Sequence, residues 1–269
     1  MLSTCSPLRL LVALADEVSR QCFVQQQNRK HVFTVAFSSR HAQLYVFDRC
    51  GAMQLHPIDM HEDPILLVRL LSLLVSADDT SSGFDESIFY ELDERGRGTG
   101  RRFIRTFLDD SPSSPKDDFL LVYRTPALVG QDIAGRGTTC WRGKHPKDRR
   151  DVFIKDYYKP SDERQDQSEV HLLPCAKGLL GVAQMVSSEE RGQSVYGERK
   201  IGVEEDETGA VGRAGETLDR ASYDREWVRI VMECYGRSLS SFDDRETFLI
   251  AIRDAILGRS FLLPLVCVC

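Results

Sequence analysis

The chain has 269 residues, of which 42% are hydrophobic and 9% aromatic, so a buried core is expected and wholesale disorder is excluded. Its net charge of −6 at pH 7 provides no broad basic surface for nucleic acid or an anionic membrane, and we expect neither as a partner. The eight cysteines are scattered and form no C-x-x-C pair, which predicts reduced thiols in an intracellular protein, cytoplasmic or nuclear.

The first predicted element is an amphipathic helix that begins at Ser6 and Pro7, a cap and first-turn pair. Its apolar residues recur at steps of three and four: Leu8, Leu11, Ala15, Val18 and Cys22. No basic residue precedes this apolar run, and Asp16 and Glu17 follow it directly, so a signal peptide is not expected.

A strand-rich region follows this helix. Residues 31–60 alternate with the period of a strand between polar turns, which predicts a hairpin or a three-stranded meander. A helix is predicted at 64–76, and its apolar run 65–75 is too short for a membrane span, which needs about 20 apolar residues. We therefore expect a buried helix there.

The remaining patterns divide the chain into two units. Strands at 102–108 and 119–124 complete a compact N-terminal α+β unit, residues 1–125. The second unit, residues 126–258, is predicted to contain a helix at 165–177. Its predicted strands lie at 129–134, 139–143, 151–157, 180–186 and 228–234.

Two segments depart from these patterns. Residues 187–224 are rich in charge and glycine and almost free of large apolar side chains, which predicts a disordered insertion. The last helix is predicted at 243–257 with Gly258 as its stop. Residues 259–269 form an atypical apolar tail, interpreted as an altered reading frame, an intron, or a core strand whose neighbours are missing.

The first candidates for chemistry are two glycines and a lysine. Gly135 and Gly137 form a G-x-G turn between two predicted strands, and glycine allows backbone N–H groups to approach a phosphate. Lys155 follows on a strand, where its ammonium group can bind phosphates. The alternatives are an ordinary hairpin turn and a lysine on the solvated face of a strand.

The glycine turn and the strand lysine resemble those of protein kinases, in which a carboxylate on the next helix holds the lysine in position. Glu169 is the choice because Leu172 and Leu173 place a buried stripe close to it. Glu163 and Asp166 compete for the role, and a solvated helix carboxylate is the alternative for all three.

The segment RIVMECYG at 229–236 resembles the buried strand of protein kinases that leads into the adenine-binding hinge. Val231 and Met232 would lie behind an adenine ring, whose edge would contact the backbone of Glu233, Cys234 and Tyr235. The alternative is a core strand that ends in a glycine turn. The histidines and cysteines show no zinc-like spacing, so no metal ligands are predicted.

Together these segments resemble the fungal-type protein kinase family. The likeness lies in VFTVAF, LYVFDRCGAM, GFDESI, RGTTCW, VFIKDYY and RIVMECYGRSLSSF. It implies an α+β fold, with a protein-kinase-like N-lobe of antiparallel sheet plus helix, an N-terminal α+β accessory unit, and a helical C-lobe that is largely missing. It also implies ATP-dependent phosphorylation of protein Ser/Thr with Mg²⁺. Lys155 and Glu169 would be catalytic, and the nucleotide would contact Gly135, Gly137, Val152, Lys155, Glu233, Cys234 and Tyr235.

The sequence also departs from the kinase pattern. The H-R-D-x-x-x-x-N and D-F-G segments, which orient the nucleophile and hold magnesium, occur nowhere in the 269 residues. Cys140 occupies the position of the third glycine, and Phe153 replaces a residue that is usually small. We therefore predict a kinase-family chain that is truncated before the catalytic loop and inactive. The alternative is a noncatalytic, pseudokinase-like module that binds a partner protein.

Overall fold

The computed structural model describes residues 7–75, 78–133, 135–161, 168–179, 181–194, 225–234 and 244–265. The regular structure in these ranges consists of two antiparallel sheets and four helices. None of the helices within them is both long enough and apolar enough to cross a bilayer.

The first sheet is small and packs against the N-terminal helix. Helix α1 (Pro7–Gln25) is followed by β1 (His31–Phe37), β2 (His41–Asp48), β3 (Gly51–Gln54) and β4 (Ile58–Asp59). Strand β2 pairs with each of the other three strands. The apolar face of α1 contributes Ala15 and Phe23 to a core that contains Val32, Tyr45 and Phe47. The predicted first helix and the strand-rich region after it are confirmed.

The second helix is present but is not buried as predicted. Helix α2 (Pro64–Leu74) buries Leu70, whereas Ile65 and Val68 are 69% and 61% exposed. An apolar run of this length usually marks a covered helix, but the described elements cover only the side that carries Leu70. The helix assignment is confirmed, and its predicted burial is wrong.

The second sheet has eight strands and contains the candidate site. Its strands are β5 (Ile88–Leu92), β6 (Gly98–Phe107), β7 (Lys116–Leu121), β8 (Leu128–Val129), β9 (Thr139–Lys144), β10 (Asp151–Pro160), β11 (Met185–Ser194) and β12 (Arg225–Glu233). Their order is β11-β12-β10-β9-β7-β6-β5, and β8 also pairs with β9. This sheet is continuous across residue 125, where the sequence predicted a boundary between two units.

The large sheet curls until β11 contacts β6. The Ser187 hydroxyl donates to the backbone carbonyl of Phe107 at 2.7 Å and joins these two strands. The enclosed face is apolar, and its buried residues are Ile88, Ile104, Leu108, Phe119, Leu121, Trp141, Val152, Ile154 and Val231. The opposite face of β10 and β12 remains available to a helix.

Strand β11 corrects the predicted start of the insertion. The strand expected at 180–186 begins instead at Met185 and runs to Ser194, so residues 187–194 belong to the sheet. Their polar composition is compatible with a strand because Ser187 and Glu189 are buried against partners, and Lys116 binds Glu189 at 2.6 Å. Residues 195–224 of the predicted insertion lie outside the described residues.

The last helix corrects a second boundary. Helix α4 (Arg245–Leu265) continues through Gly258, the predicted stop, and includes most of the predicted tail. Gly258 serves close packing instead, because a Cβ there would lie 2.5 Å from the carbonyl oxygen of Gly181. Residues 266–269 lie outside the described part of the chain.

Candidate functional site

The candidate site lies on the face of β10 that the curled sheet does not enclose. Side chains alternate along a strand, so Val152 and Ile154 enter the enclosed core while Phe153, Lys155 and Tyr157 share the other face. Phe153 and Tyr157 pack in an apolar cluster there, and Lys155 is 20% exposed. The strand period therefore places one ammonium group between two aromatic side chains.

Helix α3 (Glu169–Cys175) covers this face and supplies the partner of the lysine. Its buried Val170 packs in the same cluster as Tyr157, which brings the start of the helix over β10. Glu169 is its first residue, and the Lys155 Nζ lies 2.5 Å from the Glu169 Oε2. The competing candidates Glu163 and Asp166 lie outside the described residues.

The glycine turn is held in place by the small sheet. The N–H of Gly135 donates to the Arg49 carbonyl at 3.2 Å, and the Arg49 guanidinium donates to the Asp132 carbonyl. Gly135 and Gly137 have φ values of 140° and 49°, in the region that favours glycine. A Cβ on Gly137 would lie 2.5 Å from the Arg49 Nε, so the small sheet leaves no room for a side chain there.

Arg136, the residue between the two glycines, is a site residue that the sequence reasoning missed. Its Nη2 lies 3.1 Å from the Glu169 Oε1, so the carboxylate of Glu169 is shared by two cations. Both cations also lie over the Tyr157 ring, with the Arg136 Cζ at 4.8 Å and the Lys155 Nζ at 5.2 Å from its centroid. The only sequence signal was a basic residue inside the G-x-G turn.

Cys140, at the position of the expected third glycine, lies beside the lysine. It pairs with Lys155 in the register of β9 and β10, so the two side chains share a face. Burial raises the pKa of the Cys140 thiol to about 11, which outweighs the opposite effect of the Lys155 charge. The thiol is therefore neutral near pH 7 and acts as a small packing group.

The structure does not bring every predicted nucleotide contact to this face. Val152 is fully buried in the enclosed core on the side opposite Lys155, and Val231 lies in the same core. Alternation along the strands decides this, because Val152 is an odd number of residues from Lys155. Met232 does lie on the Lys155 face, in the cluster with Tyr157.

The predicted hinge is partly engaged by the protein itself. The N–H of Glu233 donates to the Gln184 carbonyl at 2.9 Å, and that of Cys234 donates to the Asp151 carbonyl at 3.3 Å. Neither donor is open to an adenine edge without loss of an existing hydrogen bond. Tyr235, the third predicted hinge residue, lies outside the described residues.

A lysine on a sheet strand, paired with a helix carboxylate next to a glycine turn, is the arrangement that protein kinases use to position ATP phosphates. The chain belongs to the fungal protein kinase family, whose family model matches residues 9–264. No curated protein and no solved structure matches the chain.

Proposed function

We propose that this chain is a kinase-like unit that binds ATP through Lys155 without transferring its phosphate. The observation that supports this is the Lys155–Glu169 contact of 2.5 Å, because the carboxylate holds the ammonium where a phosphate oxygen could reach it. Lys155 is 20% exposed, so an anion can approach it without prior unfolding. In active members of the family, the acceptor of the phosphate would be a protein Ser/Thr hydroxyl.

The described residues contain no group of three or more His, Cys, Asp or Glu side chains that could hold a metal ion. A kinase binds magnesium with fewer protein ligands, because the nucleotide phosphates supply the others. The sequence has neither the aspartate of D-F-G nor the asparagine of the catalytic loop. We therefore assign phosphate binding to the cations of this chain and derive no step that passes through a metal.

ATP binding is tested by calorimetric titration of the wild type and Lys155→Met. We expect the variant to bind at least about tenfold more weakly, because a hydrogen bond to a charged group contributes about 1.5–3 kcal/mol. Lys144→Met is the matched control, since Lys144 lies at the end of β9 remote from the glycine turn and its Nζ pairs with the exposed Asp151 carboxylate at 2.8 Å. Equal ATP affinity in all three proteins would contradict the proposal.

The absence of phosphoryl transfer is tested separately. Positioning and charge neutralisation provide nearly all catalysis of this reaction, and the segments that supply them are absent from the sequence. We expect no transfer of the ATP γ-phosphate to a protein substrate. Transfer that is measurable in the wild type and abolished in Lys155→Met would show that this chain is an active kinase.

A second candidate is a noncatalytic module that binds a partner protein. It is favoured by the exposed apolar side chains of α4, among which Leu249 and Ile256 are 62% and 60% exposed. Light scattering and binding of an apolar dye test it on the purified chain. A monodisperse monomer that binds no dye would exclude this candidate.

A further inference from the structure

Arg136 is placed at the site by both its backbone and its side chain. Its carbonyl oxygen accepts a hydrogen bond of 2.8 Å from the N–H of Tyr158, which fixes the glycine turn against β10. Its guanidinium reaches across to Glu169 in α3. The turn, the lysine strand and the helix therefore meet at one carboxylate.

Among the residues that the structure describes, the charges at this point do not balance. Arg136 and Lys155 supply two positive charges, and the carboxylate of Glu169 neutralises one of them. The Arg136 side chain is 50% exposed, and its guanidinium also rests on the ring of Tyr157. This ring attracts a cation whether or not Glu169 remains bound, so it can hold the guanidinium at the site after that ion pair breaks.

We propose that Arg136 is a second polyphosphate ligand, which exchanges Glu169 for a phosphate when an anion binds. A half-exposed ion pair is weak, whereas a guanidinium binds phosphate oxygens through two parallel hydrogen bonds. Lys155 would keep its contact with the other oxygen of Glu169. The statement that the polyphosphate belongs to a nucleotide rests on the proposed function. The anion site itself does not depend on that function.

The test uses inorganic tripolyphosphate, ATP and adenosine as separate probes. Each is titrated calorimetrically into the wild type, Arg136→Gln and Arg136→Lys. The control is Arg95→Gln, which removes an exposed arginine from the turn between β5 and β6. Thermal unfolding of each variant verifies that it remains folded, and Arg136→Lys keeps the charge if Arg136→Gln does not fold.

We expect Arg136→Gln to bind tripolyphosphate and ATP at least about fivefold more weakly, with a smaller salt dependence, and adenosine with unchanged affinity. The tripolyphosphate affinity of Arg136→Lys should lie between those of the wild type and Arg136→Gln, because lysine retains the charge without the paired hydrogen bonds. Arg95→Gln should equal the wild type. Unchanged tripolyphosphate affinity in Arg136→Gln would overturn the inference, as would a wild type that does not bind tripolyphosphate.

The same titrations separate this inference from the proposed function. If tripolyphosphate binds through Arg136 but ATP binds no more tightly than tripolyphosphate, the anion site is supported and nucleotide recognition is not. If ATP binds and depends on Lys155 while Arg136→Gln has no effect on either anion, the proposed function is supported and the role of Arg136 is wrong.

Discussion

Two neighbouring residues of β10, Lys155 and Asp156, form ion pairs on opposite faces of the same strand. The partner of Asp156 is Arg229, which is fully buried, whereas the Lys155–Glu169 pair is partly exposed at 20% and 35%. Each pair joins a cation to a carboxylate at a short distance, 2.5 Å for Lys155–Glu169 and 2.6 Å for Arg229–Asp156. Their surroundings give them different roles.

The buried pair has no remaining capacity for a ligand. Arg229 binds Asp156 through two hydrogen bonds of 2.6 and 2.9 Å, donates to the Ser87 hydroxyl at 2.9 Å, and lies 3.6 Å from Asp85. Burial alone would lower the pKa of Arg229, but the Asp156 and Asp85 carboxylates raise it above its ordinary value. This guanidinium is therefore charged and almost fully coordinated.

The exposed pair differs because its carboxylate is divided between two cations. Glu169 accepts from Lys155 with one oxygen and from Arg136 with the other, so the described side chains at this site carry one more positive than negative charge. The buried pair therefore stabilises the sheet, whereas we expect the exposed group to accept an anion. Substitutions on the two faces should therefore affect different properties.

The largest effect is expected on the buried face. Asp156→Ala leaves the Arg229 guanidinium buried with Asp85 at 3.6 Å, and it should lower the free energy of unfolding by about 3 kcal/mol. Urea denaturation measures this change. Asp118→Ala, which breaks an exposed pair with Arg105 at 2.7 Å, is the control and should cost less than about 1 kcal/mol. Similar costs for both variants would contradict the structural role of the buried pair.

The glycine turn should show an intermediate effect. Gly137→Ala imposes a φ of 49° on alanine and places its Cβ 2.5 Å from the buried Arg49 side chain. Gly96→Ala imposes a similar φ of 72° in open space, so it isolates the backbone cost of about 1–2 kcal/mol. We expect thermal unfolding to show a greater loss for Gly137→Ala than for Gly96→Ala. Equal losses would show that Arg49 does not pack against the turn.

Substitution on the exposed face should have little effect on stability. Lys155→Met removes a partly exposed ion pair, which should change the free energy of unfolding by less than about 1 kcal/mol. The same urea titration that is used for Asp156→Ala measures it. A loss as large as that of Asp156→Ala would indicate that Lys155 is a structural residue, and the contrast between the two faces would fail.

The smallest effect concerns the thiol beside Lys155. Because the pKa of Cys140 is about 11, about one Cys140 thiol in a thousand is in the thiolate form at pH 8. The Cys140 side chain is also buried. Iodoacetamide at pH 8 should therefore modify the exposed Cys175 and leave Cys140 intact, as read by mass spectrometry of peptides. Its thiolate fraction should rise as the pH approaches 11. Equal labelling of the two residues at pH 8 would contradict the burial of Cys140 in β9.

Local patterns predicted much of the fold and the central pair. Alternation identified the strand of Lys155, and the apolar stripe of Leu172 and Leu173 favoured Glu169 as its partner, because both features depend on residues close in sequence. The same alternation excludes Val152 from the site, although the family resemblance suggested a nucleotide contact. A family resemblance indicates which positions of the sequence correspond to nucleotide contacts. The alternation of side chains along the strand determines which face of the sheet each of them occupies.

The remaining features depend on contacts between distant segments. The role of Arg136 requires the glycine turn to fold towards α3, and the burial of Glu189 requires β7 to supply Lys116. Gly258 is of the residue type that commonly ends a helix, but it packs against Gly181, which is distant in sequence. These partners are brought together by the tertiary fold and leave no periodic signal in the local sequence.

The most direct measurement is a crystal structure of the chain with a nonhydrolysable ATP analogue. The account predicts a phosphate oxygen within hydrogen-bonding distance of the Lys155 Nζ, with Glu169 still in contact with that lysine. An analogue bound elsewhere, or no bound analogue at a saturating concentration, would contradict the claim that the exposed face of β10 is a nucleotide phosphate site.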